Sequence, residues 1–197
     1  MIGITGLRRI GKDSRGASAV EFALVAPVLF GIIMGSMQLA IDVYINAVVK
    51  GAVQQAGRDS GIEDAQAGQT TIDNKVKAQI KAVLPSATVT ITRKNYESFS
   101  DVGKAEDFID TNKNGVRDAT ECFYDENSNS IFDDGAIAGQ GGARDIVVLK
   151  AVVDYKELLP LKGLMGLGSQ RSISASTTLM NQPFATQAKR VTKTVCP

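Results

Sequence analysis

Residues 110–121 read Asp-Thr-Asn-Lys-Asn-Gly-Val-Arg-Asp-Ala-Thr-Glu and meet the calcium-loop pattern D-x-[DN]-x-[DN]-G-x5-E at every specified position. Ca²⁺ is a hard cation that takes about six to eight oxygen ligands in a flexible arrangement. In this pattern Asp110, Asn112 and Asn114 offer side-chain oxygens and Val116 a main-chain carbonyl. Asp118 acts directly or through water, and Glu121 offers both carboxylate oxygens. Gly115 allows the sharp turn at the sixth position. A second segment, 125–134, repeats the first, third, fifth and ninth positions with Asp125, Asn127, Asn129 and Asp133. Ser130 replaces its glycine and Ala136 its twelfth-position Glu, so it reads as the weaker loop, with Asp134 as the substitute carboxylate. Asn, Asp and Gly also favour plain solvated turns, so the calcium reading rests on the pattern and not on acidity alone. The flanks do not read as helices, which separates these loops from a true EF-hand.

Other chemistry is scarce. The chain has no histidine, which excludes His-based zinc sites and Ser-His or Cys-His nucleophiles. No nucleophile motif is present, and a metal-binding or solvated role accounts for carboxylate pairs such as Asp133 and Asp134, so catalysis is not expected. The formal net charge of +1 argues against a nucleic-acid binder, although charge is unevenly placed. Arg8, Arg9, Lys12 and Arg15 open the chain, whereas residues 101–134 are dominated by Asp and Glu. Cys122 and Cys196 are too few for a disulfide framework but enough for one bridge outside the cytoplasm.

The elements that position these residues begin with an uncharged apolar run from Phe22 to Ile41, the length that crosses a bilayer as a helix. The basic cluster before it predicts a cytoplasmic N-terminus. A cleaved secretory signal would place small residues after the apolar run; here Gly16, Ala17, Ser18 and Ala19 lie before it. Glu21 sits at the entrance of the run, where an ionised carboxylate is costly unless it finds a partner. Pro27 removes a backbone donor within it and predicts a kink or local loosening. Helical spacing continues to about residue 58, and Gly57 with Ser60-Gly61 predicts an end near 60. A second helix is expected over Thr71–Leu84, stopped by Pro85, with Ile72, Val76, Ile80 and Val83 on one face. Strands are expected over Ala87–Arg93, Asp145–Tyr155 and Ser172–Leu179, with Glu157–Ser169 as an apolar loop. No long internal repeat and no low-complexity tail stands out.

The stretch Arg15-Gly16-Ala17-Ser18-Ala19-Val20-Glu21-Phe22 resembles a type IV prepilin processing site, with a basic leader ending in Gly and Glu as the fifth residue counted from Ala17. The fuller string RGASAVEFALVAPVLFGIIMG is similar to the TadE-like minor pilins, or pseudopilins, of Flp/Tad (tight-adherence) systems, closely over residues 8–36. Gln38 stands where many relatives carry a second Glu. Tandem D-x-N-x-N-G loops before Gly141-Gly142-Ala143-Arg144-Asp145 and an apolar strand extend the resemblance, more loosely, to the head.

The resemblance implies an α+β, pilin-like chain: a leader at 1–16, a transmembrane and extended assembly helix at 17–60, and a small antiparallel-sheet head at 61–197 with an acidic insert at 101–135. It implies cleavage between Gly16 and Ala17 by a prepilin peptidase, and pairing of Glu21 with the freed ammonium of a neighbouring subunit. The implied partners are other Flp/Tad pilus subunits, the inner-membrane assembly platform and membrane lipid, with no nucleic acid. The implied location is the inner membrane, with the head in the periplasm or carried into a surface pilus. A different class remains open: an unprocessed, membrane-anchored calcium-dependent binding protein. Only the pilin reading needs cleavage at Gly16 and the carboxylate of Glu21.

Overall fold

The computed structural model describes residues 16–61, 65–159, 170–182 and 190–197. The basic leader and most of the apolar Glu157–Ser169 loop lie outside these residues. The chain forms two compact units. One holds the chain through Val43 together with Glu157–Ser169, and the other holds Tyr44–Lys156 and Gln170–Pro197.

Helix α1 runs from Ala17 to Ser60, and its helical assignment continues through Pro27. Its first part is apolar in every direction: Phe22, Val25, Ile32 and Met37 are exposed, as are Leu24 at 75% and Leu39 at 68%. None of its most apolar stretch is buried. By length and composition this helix can cross a membrane.

From Tyr44 onward the same helix behaves as a core element. Ile45, Val49, Ala52, Val53 and Ala56 are all buried, at the three- and four-residue spacings that make one helical stripe. Gly57 is explained by packing and not by helix termination. A Cβ built there would come within 2.7 Å of Thr177 Cγ2 on the sheet.

Helix α2 spans Ala65–Val83 and begins six residues before the expected Thr71. Its buried positions are Ile72, Val76 and Ile80, followed by Leu84 just past its end. Strand β1 (Thr88–Tyr96) leads to a short 3₁₀ turn at Phe99–Asp101. Next come β2 (Phe123–Asp125), β3 (Ile137–Ala138), β4 (Ile146–Lys156), β5 (Gln170–Met180) and β6 (Lys193–Val195). A four-stranded antiparallel sheet has the order β3-β1-β4-β5, and β2 pairs with β6 in a separate ribbon.

Alternation along β4 sets the sheet's inner face: Val147, Leu149, Ala151, Val153 and Tyr155 are buried, while Lys150 and Lys156 are exposed. Register carries the pattern across, with Val89 opposite Val153, Ile91 opposite Ala151, and Ala151 opposite Ala175. Arg93 breaks the apolar pattern of β1, and its buried guanidinium forks onto both carboxylate oxygens of Asp73 on α2 at 3.1 and 2.5 Å. That bidentate geometry is the strong form of the Arg–carboxylate pair.

Candidate functional site

The acidic insert is built from main-chain turns that side-chain oxygens hold in shape. In loop one, Asp110 accepts from the N–H groups of Asn114 at 3.1 Å and Gly115 at 2.8 Å. Asn112 Oδ1 accepts from Asn114 N–H, and Asn114 Oδ1 from Val116 N–H. The amides of Asn112 and Asn114 both donate to Asp118 Oδ2, at 2.6 and 3.0 Å. Gly115 has φ +77°, the left-handed conformation that the sequence anticipates there.

Loop two is not degenerate in form. Asp125 accepts from Asn129 and Ser130 N–H at 3.1 and 2.9 Å. Asn127 Oδ1 accepts from Asn129 N–H, Asn129 Oδ1 from Ile131 N–H, and both Asn amides donate to Asp133. Each bond has its counterpart in loop one fifteen residues earlier. Backbone conformation matches as well: Lys113 and Ser128 have φ 60° and 61°, and Ser130 takes φ 61° where loop one has Gly115. The serine therefore bears the left-handed strain that glycine avoids.

The glutamates complete the correspondence. Glu121 is 4% exposed and accepts from Thr111 N–H at 2.8 Å and Asp118 N–H at 3.1 Å. Its own N–H donates to Asp118 O. Glu106, also 4% exposed, accepts from Glu126 N–H at 2.8 Å and Asp133 N–H at 3.3 Å, and its N–H donates to Asp133 O. Burial raises the Glu106 carboxyl above its ordinary range. The two N–H donors partly offset this, and the Asp133 and Asp125 charges add to it.

Asp134, the substitute expected from the sequence, is engaged elsewhere. It accepts from Lys94 Nζ at 2.5 Å and from Tyr96 Oη at 3.0 Å. Burial alone would raise its carboxyl; the lysine and tyrosine outweigh that and lower it.

Sequence reasoning missed Glu106, whose spacing extends the correspondence between the two loops into a short repeat. Residues 106–120 and 121–135 are tandem fifteen-residue repeats of the form E-x-F-x-D-x-N-x-N-x-x-x-D. The phenylalanines explain why that signal is structural. Phe108 and Phe123 form an antiparallel bridge, held by Ile109 N–H to Cys122 O and Tyr124 N–H to Asp107 O, each at 2.8 Å. Phe132 meets both rings edge-on, and the Arg117 guanidinium lies 4.9 Å from the Phe123 ring centre and 4.7 Å from that of Phe132. Cys122, in the same bridge, is disulfide-bonded to Cys196 next to β6.

Among the described residues no group of three or more His, Cys, Asp and Glu side chains is arranged to hold a metal ion. The oxygens of each loop come instead from carboxylates, Asn amides and main chain together.

At the other end of the chain, Gly16 and Ala17 are exposed at the start of α1, and Glu21 is exposed one turn further on. Gln38 is buried and donates to Asp42 Oδ1 at 2.9 Å along the helix. The model of the TadE-like protein family matches residues 16–58. Over this segment the chain is similar to the TadE-like proteins. No curated protein and no solved structure gives a match.

The TadE-like segment begins at Gly16, takes in Glu21 and Pro27, and ends two residues before α1 does. It includes the buried stripe from Ile45 to Ala56, so it spans both the exposed apolar part of the helix and the part that packs in the head. The acidic loops lie outside the match. The glycine motif before β4 forms a turn: Asp145 accepts from Gly142 N–H at 2.7 Å, and Gly141 has φ +69° where a Cβ would meet Asp145 Oδ2 and Asn95.

Proposed function

We propose that the chain is a minor pilin, or pseudopilin, of a Flp/Tad-type pilus, which supports pilus assembly and surface adherence without catalysis. In this reading a prepilin peptidase cuts between Gly16 and Ala17. The apolar part of α1 sits in the inner membrane, and the head lies in the periplasm or is carried into the pilus. The partners are other pilus subunits and the inner-membrane assembly platform. The observation that carries the reading is the coincidence of the TadE-like match over 16–58 with an unburied apolar helix bearing Glu21 at its start.

Glu21 acts in assembly. After cleavage, the ammonium of Ala17 on one subunit neutralises the carboxylate of Glu21 on the next, and both charges are removed from the bilayer together. An unpaired carboxylate within the membrane is costly, which favours docking in the one register that pairs them.

Loop one of the head is proposed to take Ca²⁺ through Asp110, Asn112, Asn114, the carbonyl of Val116, Asp118 and Glu121. Its donors are all oxygens, as a hard cation requires. A bound cation would displace the Asn amide hydrogens that now occupy Asp118.

The test is co-purification of Glu21→Ala and Glu21→Gln chains with other pilus subunits, together with pilus counts. Both variants are expected in the membrane at wild-type levels but outside assembled complexes. Wild-type assembly by both would overturn the pilin reading and favour the anchored calcium-dependent binding protein.

A further inference from the structure

We propose that the head associates with a second copy of this chain through its sheet: β5 of one copy pairs in parallel with the open part of β1 of the next. The parallel sense rests on the membrane reading above.

One bond fixes the direction of the main-chain groups. Arg93 O accepts from Gly139 N–H at 3.0 Å, so Arg93, and with it Ile91 and Val89, aims its N–H and C=O toward the β3 side of β1. β3 pairs only with Lys94 and Asn95. Among the described residues no hydrogen bond reaches the main chain of Val89 or Ile91 on that side. Opposed residues in an antiparallel ladder alternate between bonded and non-bonded pairs. Thr90 therefore bonds to Val152, and Ala151 to Ala175, which leaves Ser172, Ser174, Ser176 and Thr178 aiming their main-chain groups outward from β5.

Neither edge carries the devices that keep edge strands apart. β5 runs eleven residues in unbroken register with β4 and contains no Lys or Pro. The open part of β1 reads Thr88-Val89-Thr90-Ile91-Thr92, without charge and of high strand propensity.

The two edges also fit each other. In a parallel ladder a residue bonds to the two neighbours of the residue opposite it. The open groups lie on the inward residues Val89 and Ile91 of β1 and on the outward residues of β5, so parallel pairing keeps both inner faces on one side. β3 blocks β1 from Lys94 onward, which sets Leu179 opposite Ile91 and Thr178 opposite Thr90. Half-buried Leu179 and Ile91 then meet. Met180, 61% exposed, comes to the groove lined by Thr92, Arg93, Ala138 and Gly139.

β1 and β5 each run antiparallel to β4 and so parallel to each other, and a copy related by translation presents β1 to β5 in this sense. Translation keeps the Tyr44–Ser60 part of α1 running the same way in both copies, as two chains entering one bilayer require. Pairing β5 with β5 about a two-fold axis would reverse it. Because the two edges differ, the contact is heterologous and can repeat along a row.

The experiment is cross-linking of full-length chains in native membranes with a short bis-maleimide. Thr90→Cys and Thr178→Cys chains expressed together should give a cross-linked dimer. Neither alone should do so, nor Lys150→Cys, from the middle strand, with Thr178→Cys. Ser176→Pro removes an outward N–H of β5 without touching the β4 ladder, and adding it to Thr178→Cys should abolish the mixed dimer. Dimers of Thr178→Cys alone would overturn the parallel arrangement. No mixed dimer, with Glu21→Gln still defective in assembly, would overturn the edge pairing and leave the pilin reading standing. A mixed dimer alongside normal assembly of both Glu21 variants would support the pairing and overturn the pilin reading. Should Ser176→Pro fail to fold, the mixed dimer against its single-chain and Lys150→Cys controls decides.

Discussion

Helix α1 and the acidic loops carry their information in opposite ways. Before Val43 the helix exposes almost every large apolar side chain it has, and Gly16 and Glu21 are exposed with them. The loops do the reverse: Glu106, Glu121 and Asp125 are buried and tied to main-chain N–H groups. The helix is legible from a linear string because an unbroken apolar run is a property of consecutive residues. The loops are legible only in part, because each is finished by a residue from the other repeat. Changes to the head should therefore alter stability and leave membrane insertion alone, and changes at the start of α1 should do the opposite.

The largest effect on the head is expected from its cross-link. Cys122 and Cys196 are separated by 74 residues, and a loop of that size contributes about 4 kcal/mol in the chain-entropy model. Cys122→Ser with Cys196→Ser should lower the denaturation midpoint of the oxidised protein accordingly, with membrane insertion unchanged. An unaltered midpoint would show that the β2-β6 ribbon holds without it.

Calcium comes next. A cation that binds only the native state adds about 2.7 kcal/mol at a hundredfold excess over Kd. Thermal unfolding with millimolar Ca²⁺ and with chelator should differ in the wild type and differ far less in Glu121→Ala. Identical curves for the wild type would remove the stabilising role.

Gly57 tests the packed part of α1. A Cβ there meets Thr177 at 2.7 Å, and overpacking of this kind costs about 1–3 kcal/mol. Gly57→Val should lower the melting temperature while leaving processing at Gly16 untouched. A neutral result would mean that the helix and β5 separate freely.

The smallest effect is a pH window at Tyr96. Its hydroxyl is pushed up from 10.0 to about 12, by burial first and then by the hydrogen bond and charge of Asp134. A raised folded-state value favours the protonated form, so this contribution is complete below pH 10 and lost as pH rises from 10 to 12. In Tyr96→Phe the stability change over that window should flatten. A wild-type slope in the variant would assign the effect to other groups.

Much of the fold could be read in advance for physical reasons that differ by element. The apolar helix is clear from its unbroken apolarity, and β4 from its richness in Val. The start of α2 was placed late because Ala65–Thr70 offers no apolar periodicity. β2, β3 and β6 escaped because strands of two or three residues carry no period at all. The end expected near residue 60 falls at Ser60, while Gly57 itself is set by the nearness of Thr177. Asp134 was the natural substitute for a missing glutamate by sequence proximity, yet Lys94 and Tyr96 compete for it. Glu106 lies outside the twelve-residue pattern because a pattern written for one continuous loop cannot register hydrogen bonds made across two repeats. The fifteen-residue period was the available signal.

The most direct test of the pilin account is the N-terminal sequence of the protein isolated from its native membrane with the prepilin peptidase present. The account predicts a mature chain that begins Ala17-Ser18-Ala19-Val20-Glu21, and full-length material only when Gly16→Val blocks the cut. A wild-type chain that still carries residues 1–16 in those membranes would contradict it.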